Sequence, residues 1–201
     1  MTETQTKTRI MNAAYELMLS QGYAATGVNE ICARAAVSKG SFYHFFQTKQ
    51  QCALAMMWHH MEQAEQMLGG LDLSPFEPIE AGLQYVQHLE ELSSDVFAQG
   101  CLFGAFAMEL AETHPELRTE ISRVFQRITD HYESVLEPVV RGCRRADAPT
   151  ARELAEQMVT VIEGGVVLSK AHGDLRFMPQ GLRIFRHHLK TLCESETASS
   201  T

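Results

Sequence analysis

Positive charge is scarce in this chain of 201 residues: 17 Lys and Arg stand against 25 Asp and Glu, a formal net charge of -8. Taken whole, that argues against nucleic acid, because neutralising phosphates requires surplus cations. Long apolar runs are missing too. The uncharged stretch Val96 to Met108 includes Gln99 and Gly100 and falls short of the roughly 20 residues a bilayer demands. Met1 to Thr8 is polar, which excludes a secretory signal. The five cysteines, Cys32, Cys52, Cys101, Cys143 and Cys193, are widely and unequally spaced with no Cys-x-x-Cys. That excludes a zinc ribbon and a thioredoxin-type dithiol, and free thiols suit a reducing cytoplasm. Gly-rich phosphate loops, His-Glu-x-x-His and Gly-x-Ser-x-Gly are all absent, so no enzyme motif is present. His59-His60 and His187-His188 do not suggest a metal. Adjacent residues on a helix point about 100° apart, and no His-x-x-x-His pair occurs. No metal and no cofactor is expected.

Alternating strand patterns are also missing, and what is present is helical periodicity. Ile10, Ala13, Ala14, Leu17 and Met18 form one helix face that stops at Gln21-Gly22. A short helix after Thr26-Gly27 carries Val28, Ile31, Cys32 and Ala35 inward, and a second carries Phe42, Phe45 and Phe46. Thr48 and Gln51 have capping-box spacing and open a long helix that runs to Gly69-Gly70. Pro78, Cys101, Pro115, Pro149 and Pro179 lie near five further starts, with a kink or early end expected at Pro138. The fold expected is all-α, about nine helices, with a polar and disordered tail over 195–201.

Charge is divided along the chain. Within residues 1–50, Lys7, Arg9, Arg34, Lys39 and Lys49 outnumber Glu3, Glu16 and Glu30, for a net +2, which leaves -10 on the rest. The basic head holds the two short helices, joined by the tight connection at Ala35 to Ser38. Ala35, Val37, Phe42 and Phe45 would hold the pair at a fixed angle. Lys39, Gly40, Ser41, Tyr43 and His44 then remain on the outer face of the second. Ser38 can cap that helix while its free N–H groups face a phosphate. Gly40 permits close backbone approach. Lys39 and Ser41 can reach base edges, and Tyr43 and His44 can bond phosphate oxygens. Lys49 adds a cation at the next helix start. A plain three-helix cluster with a solvated face has the same spacing, so periodicity alone leaves both readings open.

Thr8-Arg9-Ile10, Ala13-Ala14, Gly22-Tyr23, Thr26, Ile31, the run Ala36 to Phe46 and Lys49 together resemble the TetR family of bacterial transcriptional repressors. The resemblance covers about 50 residues of the DNA-binding half. Its most specific part is Ser-Lys-Gly-Ser-Phe-Tyr-His-x-Phe. Gly27 departs from the family's usual hydroxyl or larger residue, so Thr26 would have to make that contact. The resemblance implies a homodimer on palindromic double-stranded operator DNA, with each recognition helix in a major groove. It implies a DNA-binding domain over 1–47 and a ligand-sensing and dimerisation domain over 48–194. Helices from Ala151 to His172 and from Pro179 to Cys193 would build a four-helix dimer interface. Gly164-Gly165 would allow close approach there, or equally at a crossing within the chain.

For the sensor, Gly100-Cys101-Leu102 and Ser169-Lys170-Ala171 resemble a subgroup that responds to electrophiles and oxidants, typified by the N-ethylmaleimide repressor. Cys101 would then be the sensing thiol, favoured as thiolate at a helix N-terminus, with Lys170 as a nearby cation. A packed core cysteine and a solvated lysine are the plain alternatives. Cys143, beside Arg144 and Arg145, is a second candidate. Trp58, Met61, Phe103 and Phe106 could instead line a pocket for an apolar inducer, although such residues are commonly plain core. The expectation is a cytoplasmic, non-enzymatic repressor released by a small molecule or electrophile. A thiol-dependent enzyme and a ligand carrier that binds no DNA are the competing classes.

Overall fold

A computed structural model describes residues 2–143 and 148–194. Arg144, Arg145 and the expected tail over 195–201 lie outside the described residues. Nine helices make up the described fold: α1 (Glu3–Gln21), α2 (Val28–Arg34), α3 (Lys39–Phe45), α4 (Lys49–Leu68), α5 (Pro78–Val96), α6 (Leu102–Leu110), α7 (Pro115–Gly142), α8 (Ala151–His172) and α9 (Phe177–Glu194). No strand occurs among the described residues.

The helices fall into two compact units. The first comprises the chain up to Gly69 together with Cys101–Phe125, and the second Gly70–Gly100 together with the chain from Gln126 on. The boundary anticipated at residue 47 falls inside the first unit. Helix periodicity cannot show that α4 and α6 pack with the head, since that is a matter of which apolar faces meet.

In the first unit α1 is central, packed on α2, α4 and α6, while α2 carries α3. Ile10, Ala14 and Met18 of α1 are buried with Ile31 of α2, Phe42 of α3, Met56 and Met57 of α4, and Phe106 and Leu110 of α6. Each large side chain contributes on the order of 1.5–3 kcal/mol by leaving water. Thr48 caps α4 by accepting the Gln51 N–H at 3.1 Å, so the helix starts where its capping sequence places it.

In the second unit α9 lies against both α5 and α8. Leu182, Phe185 and Leu189 are buried, as are Tyr85 and Val86 of α5 and Leu154 and Met158 of α8. Polar side chains bridge the helices of this unit: the Tyr85 hydroxyl meets His131 Nε2 at 2.8 Å, and Arg186 donates to Gln87 at 3.1 Å and Glu90 at 3.0 Å.

Two expectations change. Pro138 does not end its helix, which continues to Gly142. Leu136 and Val139 on either side are buried, and that packing offsets the roughly 3 kcal/mol a mid-helix proline costs. Cys143 is not free either. It is joined to Cys193, with 4.6 Å between the Cα atoms, and ties the end of α7 to the end of α9. Fifty residues separate the two in sequence, a distance at which no local pattern predicts a pair. Cys32, Cys52 and Cys101 are buried and take no part in a disulfide among the described residues.

Candidate nucleic-acid interface

Helices α2 and α3 are held by their buried sides. Ile31, Cys32, Ala35 and Phe42 are excluded from water, and Phe42 meets Phe46 at 5.7 Å between ring centres. The connection turns sharply at Ala36, whose φ of 49° lies in the left-handed region that costs an L-residue about 1–2 kcal/mol. Two features hold it there. The Val37 N–H donates to Cys32 O at 3.0 Å, and the Arg9 guanidinium reaches from α1 to the carbonyls of Ala35 and Ala36.

Ser38 caps α3, accepting the Ser41 N–H at 3.1 Å. Lys39, Gly40, Tyr43 and His44 all face solvent, with Tyr43 52% exposed, and Ser41 is half-buried. The space above Gly40 is open: the nearest atom to a Cβ there would be Ser38 Oγ, at 3.6 Å. His44 Nε2 lies 2.9 Å from a Glu3 carboxylate oxygen, a pair with both side chains in solvent. One helix face thus brings together a cation, two hydroxyl groups of different reach, an imidazole and a bare stretch of backbone.

Two of the expected phosphate contacts point elsewhere. Thr26 is 1% exposed and its hydroxyl donates to Gly22 O at 2.7 Å, so it braces the turn before α2. Lys49 is half-buried, with its ammonium bonded to Tyr23 O at 2.8 Å and Thr26 O at 3.0 Å. Burial lowers its pKa, opposed by the Glu109 carboxylate. Both side chains bond backbone carbonyls of this turn, a contact invisible in sequence spacing. Sequence reasoning also missed Glu109, which accepts the Tyr23 and Ala24 N–H groups at 2.8 and 2.7 Å. Its one signal was being the sole charged residue of α6.

Models of known families match both parts of the chain. Residues 10–56 match the bacterial regulatory proteins of the tetR family, and residues 78–180 match the C-terminal domain of LmrA/YxaF-like transcriptional regulators. The chain belongs to the TetR family. It is a transcriptional regulator with a helix-turn-helix DNA-binding head, and such regulators are not enzymes. It is 25% identical over 187 residues to the HTH-type transcriptional repressor DhaR of Mycobacterium sp. (strain GP1), covering 92% of each chain. To LmrA of Bacillus subtilis (strain 168) it is 28% identical over 163 residues, 80% of this chain and 84% of that one. The fold is shared with E. coli NemR in its reduced form, with a TM-score of 0.75 at 21% identity over 92% of this chain and 95% of that one.

The expected sensor residues of this TetR-family chain are dispersed. In the first unit Cys101 is the N-cap of α6 and 8% exposed. Met61 and Phe106 are core, the latter edge-on to Tyr23 at 6.1 Å between ring centres. Phe103 is half-buried, and Trp58 is half-buried with its indole N–H donated to Glu120 at 3.1 Å. Near Cys101 lies Tyr15, whose pKa is raised by burial and then by that thiol. The Tyr15 ring stacks on His60 at 3.7 Å, and burial brings the His60 pKa down to about 4, helped by neighbouring His59. Burial likewise pushes the Cys52 thiol up to about 12, leaving it protonated and inert.

In the second unit Lys170 is exposed, and its chain crosses Gly100 so closely that a Cβ there would stand 2.7 Å from the ammonium nitrogen. Gly100 has a φ of 107°, which disfavours any other residue. A surface groove of about 370 Å³ in this unit is lined by Glu90, Arg176, Pro179, Gln180 and Arg183, none of them an expected sensor residue. Among the described residues no helix is long and apolar enough to cross a membrane, and no group of three His, Cys, Asp or Glu could hold a metal ion.

Proposed function

We propose that this regulator represses transcription as a homodimer on a palindromic operator and releases it when a thiol-reactive compound modifies Cys101. The observation that carries the DNA reading is the outer face of α3, where Lys39, Gly40, Ser41, Tyr43 and His44 stand over a packed Phe42. Lys39 and Ser41 read base edges, and Ser38, Tyr43 and His44 hold phosphates. Thr26 and Lys49 support that face from behind. The residues from 1 to 47 do the reading, and those from 48 to 194 sense and dimerise.

The dimer reading is supported by apolar residues left in solvent on the last two helices. Val167 and Ile184 are each 61% exposed, and Leu168 is exposed beside Val167. Pairing α8 and α9 with their copies covers these residues, and a palindromic operator calls for two recognition helices about 34–36 Å apart, one turn of DNA.

For the sensor, Cys101 stands at the N-cap position of α6, where its side chain makes no cap bond. A helix N-terminus favours the thiolate. The thiolate adds to an activated carbon–carbon double bond: the S–C bond forms, the π-bond breaks, and water protonates the adjacent carbon. A non-covalent apolar inducer held by Trp58, Met61, Phe103 and Phe106 is the second reading, supported by the half-buried Trp58 and Phe103.

One experiment tests both levels. Binding to the DNA flanking the protein's own gene is measured at several salt concentrations, then with N-ethylmaleimide, for wild type and Cys101→Ser. Sequence-dependent, salt-steep binding is expected, released by the electrophile in wild type alone. Binding without sequence preference overturns the operator reading. Equal release from both proteins removes Cys101 from the mechanism.

A further inference from the structure

The short turn between α1 and α2 is gripped from two sides by opposite charges. From α6, one Glu109 oxygen accepts the Tyr23 N–H at 2.8 Å and the other accepts the Ala24 N–H at 2.7 Å. The carboxylate sits so near that a Cβ on Gly22 would stand 3.0 Å from it. From the first turn of α4, the Lys49 ammonium takes the carbonyls of Tyr23 and Thr26 at 2.8 and 3.0 Å. It also lies 4.1 Å from the centre of the Tyr23 ring, within range of a cation–π contact. An anion thus holds the donors of this turn and a cation holds its acceptors. Charge-assisted bonds of this kind are about twice as strong as neutral ones.

Neither side chain belongs to the outer face of α3, yet the turn they hold decides how α2 leaves α1, and α2 carries α3. We propose that Glu109 and Lys49 are positioning residues for operator binding, fixing the angle of the DNA-reading helix pair through the backbone of residues 23–26. Helix α6 makes the grip consequential. It starts immediately after Cys101 and ends one residue beyond Glu109, nine residues or about 13 Å of stiff rod. A displacement of α6 along its axis therefore reaches the turn through Glu109.

Electrostatics alone predicts the opposite sign, which makes the test sharp. Removing a carboxylate from a DNA-binding head ordinarily raises affinity for a polyanion. The full-length protein and its Glu109→Gln, Glu109→Asp and Glu116→Gln variants are measured against a duplex that wild type selects from a random library. Glu116 is the control, since its carboxylate also meets α4, accepting from Gln50 at 2.7 Å, but does not touch the turn. Hydrogen exchange at the Tyr23 and Ala24 amides reports the grip directly.

With Glu109→Gln those two amides exchange faster and affinity for the selected duplex falls about tenfold, with binding to random DNA retained. Glu109→Asp, which keeps the charge and both acceptors, recovers part of the loss. Faster exchange with undiminished affinity overturns the proposal, as does unchanged exchange. An equal loss in Glu116→Gln shows that the effect does not run through the turn and also overturns it. Should Glu109→Gln fail to fold, Lys49→Gln attacks the same turn from the other side. Accelerated exchange at Tyr23 and Ala24 with loss of preference for the selected duplex then supports the proposal, and retained preference overturns it.

Discussion

A Cβ on Gly165 would stand 2.8 Å from the Cα of Met178, so α8 and α9 cross there backbone to backbone. Its neighbour Gly164 has nothing within 4 Å. The two glycines, indistinguishable in sequence, therefore behave differently. Gly165→Ala is expected to lose about 1–3 kcal/mol, the range for overpacking a tight core, although alanine is the better helix former. Gly164→Ala meets nothing within its own chain and gains about 0.5–1 kcal/mol of helix propensity. Urea denaturation of both variants at one protein concentration checks the pair.

The bond between Cys143 and Cys193 closes a loop of 50 residues, and such a cross-link stabilises by about 2–4 kcal/mol, largely by restricting the unfolded chain. Thiol titration of the unfolded protein is expected to find three free thiols before reduction and five after. Melting with and without dithiothreitol should show a lower midpoint in the reduced sample. Cys143→Ser should melt like reduced wild type and be insensitive to the reductant.

His60 ties stability to pH. Burial holds its folded pKa near 4, against an ordinary value of 6.5, so the unfolded chain takes up a proton that the native state refuses. The contribution is fully present above pH 6.5 and declines as pH falls toward 4. In His60→Gln this part of the slope is absent. Denaturant midpoints between pH 4 and 7 for the two proteins make the comparison.

On α3, Lys39→Ala and Tyr43→Phe should differ in kind. A base-reading lysine contributes about 1–3 kcal/mol of discrimination per recognition helix, so Lys39→Ala narrows the gap between operator and random DNA. Tyr43→Phe removes the proposed phosphate contact and is expected to weaken both duplexes alike. Competition titrations at fixed salt distinguish the two outcomes.

Ile184→Arg addresses the exposed stripe on α9. A charge there remains solvated in a monomer but is buried by pairing through that helix. Sedimentation is expected to move from a dimer to the 22.5 kDa monomer with helix content unchanged. A dimer that persists would place the interface elsewhere.

Local chemistry made the helices and the exposed face of α3 legible in advance. Thr48 with Gln51, the prolines at helix starts and the Phe42 register act within one or two turns, so their effects survive in sequence order. The Ser38-to-Phe46 run belongs to this class: cap, exposed face and buried face are all set by spacing along one short helix. The intrachain bonds of Thr26 and Lys49 are invisible in sequence for the opposite reason. Their partners are backbone groups of a turn whose path only the packed head defines.

The sequence by itself determined an all-helical chain, the place of its recognition helix and the family to which it belongs, because periodicity, caps and motif spacing are local properties. Tertiary structure alone decided that Glu109 and Lys49 grip one turn, that Gly165 rather than Gly164 admits α9, that α7 runs through Pro138 and that Cys143 meets Cys193. Each of those depends on groups distant in sequence arriving within bonding or packing distance, and only the burial of apolar faces brings them there.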